Sequence, residues 1–543
     1  MPTESPDIIV IGAGHNGLVA ACYLAKAGLD VLVLEANAGI GGCSTTDAYI
    51  KEAPQHRISP CAVDITFWNA STIVDDLDLP RYGYRTIALD PPYATAAPDG
   101  SSIAFWRDPK NTAEDIARFS KKDASAYLDL LDMLKTGVDV MIPFMASDPA
   151  RPSAELMATV AGSVLRHPIH MAVLAPLALG TAVDAIESRF EDPRMRGAML
   201  GFGALGAPVN LEGSGMNVFL PAVAGHTGIT RMAGGTQVLV DSLAACLKDN
   251  GGRIRTGARV GEIRVADGRA LGVSLADGEE IDARAVVAAC DVVQTLRDLT
   301  PQSALPDKIK RRVAHMPTES GGASFLTVHM ALSAQVDVSR LEKQRNDDVS
   351  LRTAALLLGS FEEMVAATEA AEAGRLPEGR MPVYAALPTG ADPSLAPEGQ
   401  EVAYLWTGWA PRNPPGGWDA LAAEAGQKII DTAADYYGGI KEKEIGRWVE
   451  PWPDLQKRVN LTDGNPYHVD FLASREGPFR PAFGLGRYTT PVEGLYLSGA
   501  GTHPGPSVSG LPGQHTARRV LTTLKAEDGG APQEKGDSRI TIN

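Results

Sequence analysis

Three glycines near the start of the chain have the spacing of a dinucleotide-binding turn. Gly12, Gly14 and Gly17 form a G-x-G-x-x-G pattern between an apolar strand predicted over 7–11 and a helix predicted over 18–27. In such a unit the first glycine allows a tight turn, the second lets the backbone approach a pyrophosphate, and the third lets the helix pack against the strand. The free N–H groups at the helix N-terminus also favour phosphate.

An acidic residue completes this unit. A second strand, predicted over 31–34, ends at Glu35, about twenty residues past the glycines, where a carboxylate can accept hydrogen bonds from a ribose diol. Strand, glycines, helix, strand and acid occur in order, so the sequence predicts a Rossmann-type unit that binds a dinucleotide. We expect the flanking residues His15, Asn16 and Ala36 to contact the same nucleotide.

A second G-x-G-x-x-G pattern, formed by Gly201, Gly203 and Gly206, lacks these surroundings. No β-rich strand precedes it, Pro208 blocks early helix continuation, and no strand and acid follow. We interpret it as a glycine-rich loop without a nucleotide role. A single nucleotide unit argues against an enzyme that passes electrons from NADPH to a flavin, a class that usually needs two.

A further glycine cluster favours FAD over NAD. Gly41 and Gly42, followed by Cys43 and Ser44, would bring backbone amides to the far side of a pyrophosphate or to the ribityl chain. Here the chain resembles the flavin-dependent amine oxidase and phytoene desaturase superfamily. That superfamily commonly has an arginine where this chain has Cys43, which we interpret as a small residue in a tight loop rather than a reactive thiol.

The C-terminal region carries the most extensive resemblance. It comprises residues 487–505 and a glycine-rich loop that opens a helix predicted to about residue 524, and it contains Gly499, Ala500, Gly501, Gly510 and Pro512. It is similar to phytoene dehydrogenase-related proteins of the pyridine nucleotide-disulphide oxidoreductase domain-containing group. The likeness extends upstream through 452–455 and 464–468 and spans nearly the whole chain, although it departs at Pro506–Ser507.

The resemblance implies an α/β fold in which a Rossmann-type FAD-binding domain, of the amine oxidase-like two-dinucleotide-binding-domain class, holds an inserted α+β substrate domain. The FAD-binding domain would comprise 1–75, 225–300 and 481–524. The substrate domain would comprise a largely helical 76–224 and a mixed 301–480, with a disordered tail over 525–543. The resemblance also implies non-covalent FAD, a helix N-terminus near the flavin N1 and C2 carbonyl, and a backbone contact from Val260 to adenine.

Element patterns fill in this outline. Helices are predicted over 123–140, 238–247 and 420–437, and strands over 253–257, 260–265, 272–275, 285–289, 325–332 and 401–408. The strands between 253 and 289 are expected to extend the same sheet as the first two strands.

Bulk properties exclude several classes. The chain has 543 residues and a net charge of −16, which disfavours nucleic acid and gives no electrostatic help toward anionic lipid. Five cysteines form no C-x-x-C pair, which excludes the disulfide-reductase branch and suits a reducing compartment. With the first strand at residue 7 we expect no signal peptide and a cytoplasmic protein.

Two apolar stretches, 156–165 and 171–186, are interrupted by charges and prolines. We interpret them as core or substrate-tunnel helices. The alternative is a peripheral membrane patch through which a lipid-like substrate enters. His167 and His170 have a spacing that could ligate a metal, but no Cys, Asp or Glu cluster completes a site, so no metal is expected.

The catalytic residues are the least specified. A flavin carries the redox chemistry itself, and His503 is the best candidate for a side chain beside it, the alternative being that His503 only packs or bonds the loop backbone. Tyr404, Trp406, Trp409 and Trp418 could line a substrate cavity or belong to the core.

The expected function is that of an FAD-dependent oxidoreductase. It would dehydrogenate or desaturate an apolar small molecule by hydride transfer to the flavin and pass the electrons to oxygen, a quinone or another carrier. One alternative is a flavin amine oxidase, which would need an aromatic cage and a neutral amine at the flavin. Another is a non-redox role, as a flavin-dependent isomerase or a flavin-bound interaction protein.

Overall fold

The computed structural model of the chain describes residues 5–149, 151–205, 208–345 and 347–529, with the backbone alone at residue 320. Gly206 and most of the expected tail, residues 530–543, lie outside the described residues. The strands are β1 Ile8–Ile11, β2 Val31–Leu34, β3 Thr86–Leu89, β4 Tyr93–Ala96, β5 Ser102–Phe105, β6 Ile229–Met232, β7 Arg253–Arg255, β8 Val260–Ala266, β9 Arg269–Leu275, β10 Glu280–Asp282, β11 Ala285–Ala288, β12 Ala323–Leu332, β13 Ala355–Leu358, β14 Val383–Ala386, β15 Glu401–Pro411, β16 Glu444–Pro451 and β17 Leu495–Leu497. The helices are α1 His15–Lys26, α2 Ile73–Asp76, α3 Pro109–Ala117, α4 Lys121–Met145, α5 Ala154–Arg166, α6 Pro168–Leu179, α7 Ala182–Glu187, α8 Pro193–Ala204, α9 Leu220–Thr227, α10 Gln237–Asp249, α11 Val292–Gln294, α12 Asp307–Ala314, α13 Ser339–Glu342, α14 Phe361–Glu372, α15 Pro388–Ala391, α16 Trp418–Ala434, α17 Trp452–Val459 and α18 Leu511–Glu527.

A five-stranded parallel sheet, ordered β17–β11–β1–β2–β7, carries the nucleotide turn. Its central strand β1 is buried on both faces, as expected for a parallel sheet. Ile8 and Val10 pack into one core with residues of α1, α10 and α18, whereas Ile9 and Ile11 pack into another with residues of β8, β9 and β10. The alternation follows from the two-residue period of a strand.

The second large sheet is mixed and has seven strands, ordered β16–β12–β15–β14–β13–β4–β5. Its neighbours are antiparallel except β13 and β4, which run parallel. Helices α8, α14 and α16 contact it, and it belongs to the largest described hydrophobic core. Strand β3 pairs with β6 in a separate two-stranded sheet.

Some expectations about local structure were wrong and others were right. The segment 76–224 is largely helical, as expected, through α3 to α9, and it also contributes β4 and β5 to the seven-stranded sheet. Strands β7 and β11 join the parallel sheet as expected, but β8 pairs with β9, and β9 with β10, in a three-stranded antiparallel sheet. The reason is exposure: β8 leaves five of its seven residues partly or fully in solvent, which a central parallel strand does not tolerate.

The second glycine pattern is helical rather than a loop over its described part. Gly201 and Gly203 lie inside α8, where a Cβ at Gly203 would come within 2.9 Å of the Cβ of Ala182. The glycines therefore permit close packing of α8, and neither lines the nucleotide cavity described below. Helix α18 continues to Glu527, three residues beyond the expected end. The division into domains remains a prediction.

Candidate active site

The glycine turn adopts the geometry that its spacing predicts. Gly12 has a φ of +99°, and a Cβ at Gly17 would lie 2.2 Å from the backbone oxygen of Gly12. Only glycine fits there because α1 crosses so close to the turn. A Cβ at Gly14, in contrast, would meet no protein atom within 4 Å. The space in front of Gly14 is where a pyrophosphate can approach the backbone.

Glu35 does more than its sequence position indicates. One carboxylate oxygen, Oε2, accepts a hydrogen bond of 2.9 Å from the backbone N–H of Ala13, and the other accepts one of 2.9 Å from Asn37. The buried carboxylate therefore fixes the glycine turn against the end of β2. Glu35 also lines a cavity, and a carboxylate with two such hydrogen bonds can still accept another from a ribose hydroxyl.

A cavity of about 290 Å³ lies at the carboxyl ends of β1, β2 and β11. This is the edge at which α/β sheets bind nucleotides. Predicted cofactor residues line much of it: Gly12, Gly14, His15, Asn16, Glu35, Ala36, Gly41, Gly42, Cys43, Val260, Gly499 and Ala500. Val260 reaches the cavity from the start of β8, although that strand is not in the parallel sheet.

The polar atoms of the cavity wall fit a nucleotide. Among the described residues, Asn16 Oδ1 and His468 Nδ1 are buried without a hydrogen-bond partner, and both residues line this cavity. Buried polar groups without partners are rare in folded proteins, and a ligand rich in donors and acceptors would satisfy them. The Ser44 hydroxyl lies 3.2 Å from His15 Nδ1. Burial lowers the pKa of His15 to about 4, so its ring is neutral at pH 7.

The remaining predicted cofactor residues do not line this cavity. Gly17 packs against the turn, and Ser44 lines the neighbouring cavity described below. Gly501 and Pro512 line neither cavity, and neither does Gly510, where a Cβ would come within 2.6 Å of the Trp68 ring. Their contacts with a cofactor therefore remain predictions.

A buried arginine that the sequence did not single out shapes the C-terminal loop. Arg480 is fully buried, and its Nε and Nη2 donate hydrogen bonds of 3.0 and 2.8 Å to the backbone oxygen of Ala500. The same side chain also donates to the backbone oxygens of Tyr467 and Val469 and to the carboxylate of Glu476. Burial raises the pKa of Glu476 to about 7 despite this ion pair. Arg480 thereby holds the Ala500 loop against the cavity.

His503 lies outside both cavities. Its Nε2 is 3.1 Å from the backbone oxygen of Phe144, and its ring packs edge-on against that of Phe144. Burial lowers its pKa to about 4. These contacts agree with the alternative that His503 only packs against its neighbours and bonds to backbone. A catalytic role of His503 remains a prediction that the geometry does not support.

A second cavity, of about 320 Å³, adjoins the first, and we call it the substrate cavity. The two cavities share His15, Cys43, Pro466 and Ala500. The other aromatic and apolar residues of the substrate cavity are Pro60, Ala62, Val63, Ile65, Phe67, Tyr93, Leu205, Leu220, Phe325, Tyr384, Tyr404, Trp406, Leu455, Tyr467 and Val508.

Of the four aromatic residues singled out from the sequence, two line the substrate cavity and two belong to the core. Tyr404 and Trp406 line the substrate cavity. Trp409 and Trp418 are core residues: their Nε1 atoms donate to Thr368 Oγ1 at 3.1 Å and to the backbone oxygen of Arg412 at 3.3 Å. The pairing of β15 with β12 shifts register between Thr407 and Ala410, so the regular alternation of side chains is interrupted between Trp406 and Trp409.

One wall of the substrate cavity is polar. Asp64 accepts a hydrogen bond of 2.7 Å from Arg231 Nε and another from the Tyr384 hydroxyl. Both members of the Asp64–Arg231 ion pair are almost fully buried. Burial and the neighbouring Asp64 carboxylate raise the pKa of Tyr384, so its phenol stays protonated. Since that proton points to Asp64, the Tyr384 oxygen is left as an acceptor toward the cavity.

The two apolar stretches form helices α5, α6 and α7. Among the helices of the described residues, none has the length and hydropathy needed to cross a bilayer. His167 and His170 stack with ring centroids 5.4 Å apart. Over the same described part of the chain, no group of three or more potential metal ligands is found.

Comparison with known proteins identifies the family. A model of NAD(P)-binding Rossmann-like domains matches residues 10–66, and one of flavin-containing amine oxidoreductases matches residues 180–510. The chain belongs to the flavin-containing amine oxidoreductase family. It is therefore a flavin oxidoreductase, its cofactor is FAD, and the α/β assignment with a Rossmann-type unit is confirmed.

Individual relatives confirm the resemblance, both to the phytoene desaturases and their related proteins and to the amine oxidases. The chain is 28% identical to the mouse pyridine nucleotide-disulfide oxidoreductase domain-containing protein 2, over 96% of this chain and 94% of the relative. It is 25% identical to a lycopene-forming phytoene desaturase from Pseudescherichia vulneris, over 96% and 99%. A solved structure of a putrescine oxidase with redesigned cofactor binding superposes with a TM-score of 0.63 at 17% identity, over 97% of this chain and all of that one, and so shares the fold.

Proposed function

We propose that this flavin oxidoreductase dehydrogenates a small, largely apolar organic molecule bound in the substrate cavity. The observation that carries the proposal is the wall that the substrate cavity shares with the cavity of about 290 Å³ at the glycine turn, which we call the FAD cavity. His15, Cys43, Pro466 and Ala500 line both cavities. A molecule in the second cavity would therefore lie against the reactive end of a dinucleotide in the first. The cavity volume of about 320 Å³ lies at the lower end of small-molecule sites, which favours a compact substrate.

The bound FAD supplies the hydride acceptor for such a reaction. The chain supplies the positioning. Glu35 and the glycine turn hold the nucleotide end, and Arg480 fixes the Ala500 loop at the boundary between the cavities. Aromatic walls exclude water from the substrate, and the Tyr384 oxygen offers one acceptor for orienting it.

Amine oxidation is the second candidate, and one observation favours it. No aromatic cage could be identified from the sequence, but Tyr384, Tyr404 and Trp406 all line the substrate cavity, with ring-centroid separations of 6.0 and 6.5 Å from Tyr384. Aromatic faces attract cations and accommodate amines. The two carboxylates on the cavity wall, Asp64 and Glu450, are each paired with an arginine, which weakens the attraction for a cationic amine.

Anaerobic flavin bleaching separates these candidates. The holoenzyme is mixed under nitrogen with small cyclic alkenes and ketones, with putrescine and cyclohexylamine, and with NADH and NADPH, and the flavin absorbance at roughly 450 nm is followed. We expect bleaching by an apolar cyclic compound and none by either nucleotide. Bleaching by the amines alone would establish amine oxidation, and fast saturable bleaching by NADH or NADPH would contradict the proposal.

Two substitutions locate the reaction. Trp406→Ala enlarges the substrate cavity and should raise the substrate concentration needed for half-maximal bleaching. Trp418→Phe alters a core tryptophan at the start of α16 and serves as the control, because Trp418 lines neither cavity. Equal effects of the two changes would contradict binding of the substrate in this cavity.

We further propose that helices α5 and α6 form a peripheral contact with a lipid surface, through which an apolar substrate arrives. Leu165 and Ile169, at adjoining ends of the two helices, are 81% and 76% exposed. The net charge of −16 favours a zwitterionic surface. Flotation with phosphatidylcholine vesicles should carry the protein upward, and Leu165→Ser with Ile169→Ser should abolish that. Flotation that is unchanged in the double variant would refute the contact.

A further inference from the structure

Two cysteines meet at the wall between the FAD cavity and the substrate cavity. Cys43 lines both cavities, and Cys61 lines the substrate cavity. The thiol of each is the group that most strongly shifts the pKa of the other, so the two side chains are neighbours. Seventeen residues lie between them in the sequence, so they form no C-x-x-C pattern. The fold assembles the pair by bringing the glycine-rich loop after β2 against the loop that follows residue 60.

An arginine contacts the second of these thiols. Arg458 Nη2 lies 3.3 Å from Cys61 Sγ. The guanidinium is held in place by two hydrogen bonds, of 2.5 and 2.9 Å, to the carboxylate of Glu450 and lies over the Trp448 ring. A guanidinium beside sulfur stabilises a thiolate, which is the reactive form of cysteine.

The two thiols are electrostatically unequal. The neighbouring Cys43 thiol and Arg458 lower the pKa of Cys61, with burial and Glu450 opposing them. The neighbouring Cys61, together with burial, raises the pKa of Cys43. Because Arg458 Nη2 lies 3.3 Å from Cys61 Sγ, Cys61 is the sulfur favoured as the thiolate, with Cys43 as its protonated neighbour. A nucleophilic thiolate beside a protonated partner is the arrangement of a dithiol that forms a disulfide.

The other cysteines of the chain provide a contrast. Cys22 and Cys246 are also neighbours, but they are buried in the core, and their thiols donate to the backbone oxygens of Leu243 and Leu77. Neither lines the FAD cavity or the substrate cavity. Cys290 lines the FAD cavity without a cysteine partner, and burial raises its pKa to about 11. The pairing, the arginine and the access to a cavity coincide only at Cys43 and Cys61 among the described residues.

We propose that Cys43 and Cys61 form a redox-active dithiol that exchanges two electrons with FAD. In the oxidising direction the Cys43 S–H bond breaks and an S–S bond forms between the two sulfurs. The two electrons and the Cys43 proton pass to FAD, which becomes the anionic reduced flavin. The reverse transfer reduces the disulfide and reoxidises the flavin. The pair gives the enzyme a second two-electron store and a redox activity beyond dehydrogenation of the organic substrate.

The first test counts electrons. Holoenzyme is oxidised with excess oxidised glutathione, freed of it by gel filtration, and titrated anaerobically with dithionite. The wild type should take up about four electrons per FAD, because the flavin and the disulfide each accept about two. Cys43→Ser and Cys61→Ser should each take up about two. Cys22→Ser and Cys246→Ser, the matched controls, should keep the wild-type value, because neither residue lines the FAD cavity or the substrate cavity. Uptake of about two electrons by the wild type would overturn the proposal.

The second test uses the wild type alone and needs neither turnover nor a variant that folds. After the same oxidation, free thiols are blocked with iodoacetamide and the protein is digested for peptide mass spectrometry. A peptide linked through Cys43 and Cys61 is expected, together with alkylated Cys22, Cys246 and Cys290. A Cys22–Cys246 link, or glutathione retained on Cys61 without an internal disulfide, would overturn the proposal. Both readouts are independent of which organic substrate the enzyme uses.

Discussion

Removing the Glu35 carboxylate should weaken FAD binding by a predictable amount. Glu35→Ala deletes the acceptor for a ribose hydroxyl and both hydrogen bonds, of 2.9 Å each, that hold Ala13 and Asn37. A hydrogen bond to a charged group contributes about 1.5–3 kcal/mol, so loss of the ribose contact alone raises the Kd for FAD roughly 10- to 150-fold. Because Ala13 lies inside the glycine turn, loosening it adds to this effect. Glu35→Gln keeps one acceptor oxygen and should fall between the wild type and Glu35→Ala.

The assay is a titration of apoprotein with FAD, followed by flavin fluorescence, with the midpoint of thermal unfolding measured in parallel. Glu279→Gln is the matched control, because Glu279 is a carboxylate on the surface that forms hydrogen bonds of 2.7 and 2.6 Å to Arg255. That variant should bind FAD like the wild type. A Kd for Glu35→Ala within twofold of the wild type would refute the placement of the nucleotide at this carboxylate.

Three further outcomes follow from the structure. Gly14→Ala should fold normally yet lose FAD in gel filtration, since its Cβ meets no protein atom within 4 Å and would enter the pyrophosphate space, whereas Gly39→Ala, equally open, should retain FAD. Gly17→Ala should lower the unfolding midpoint as well as the FAD content, because its Cβ would lie 2.2 Å from a backbone oxygen; an unchanged midpoint would contradict that packing. Burial lowers the pKa of His503 to about 4 and of His515 to about 3, so on acidification the unfolded chain binds protons before the folded protein does. The free energy of unfolding should therefore fall as pH drops from about 6.5 toward 4 and stay level above pH 7. Denaturant titrations that give higher stability at pH 5 than at pH 7.5 would contradict this.

The first β-α-β unit could be predicted because its information is local. Strand β1, helix α1 and strand β2 each follow from a short apolar pattern, and the glycines and Glu35 lie at fixed offsets from them. The second task of Glu35 could not be predicted, because the contact between its carboxylate and Ala13 depends on the three-dimensional path of the turn. The same holds for Arg480, whose partners are mostly backbone oxygens that carry no residue-specific signal.

The substrate cavity was less accessible to sequence reasoning for a different reason. Asp64 and Arg231 are 167 residues apart, and nothing in either neighbourhood marks them as an ion pair. Strand β12 carries Phe325 and Thr327 to the cavity while β15 carries Tyr404 and Trp406, so the wall exists only once the sheet is assembled. An aromatic run in the sequence could therefore suggest a cavity without showing which rings face it.

One continuous segment connects cofactor binding to the substrate cavity. Gly41 donates a 2.9 Å hydrogen bond to the backbone oxygen of Ala13 and lines the FAD cavity, and the same stretch of chain then delivers Cys61 and Asp64 to the substrate cavity. The segment is anchored at its far end by the backbone pairing of Ile65 with Thr230. The segment is also held between these ends, since Asp47 and Ile58 exchange backbone hydrogen bonds and Arg57 N–H donates one of 2.8 Å to the backbone oxygen of Leu395. Its side chains include both thiols of the proposed redox pair and the Asp64 carboxylate on the wall of the substrate cavity. One anchored stretch of backbone therefore positions residues of both cavities.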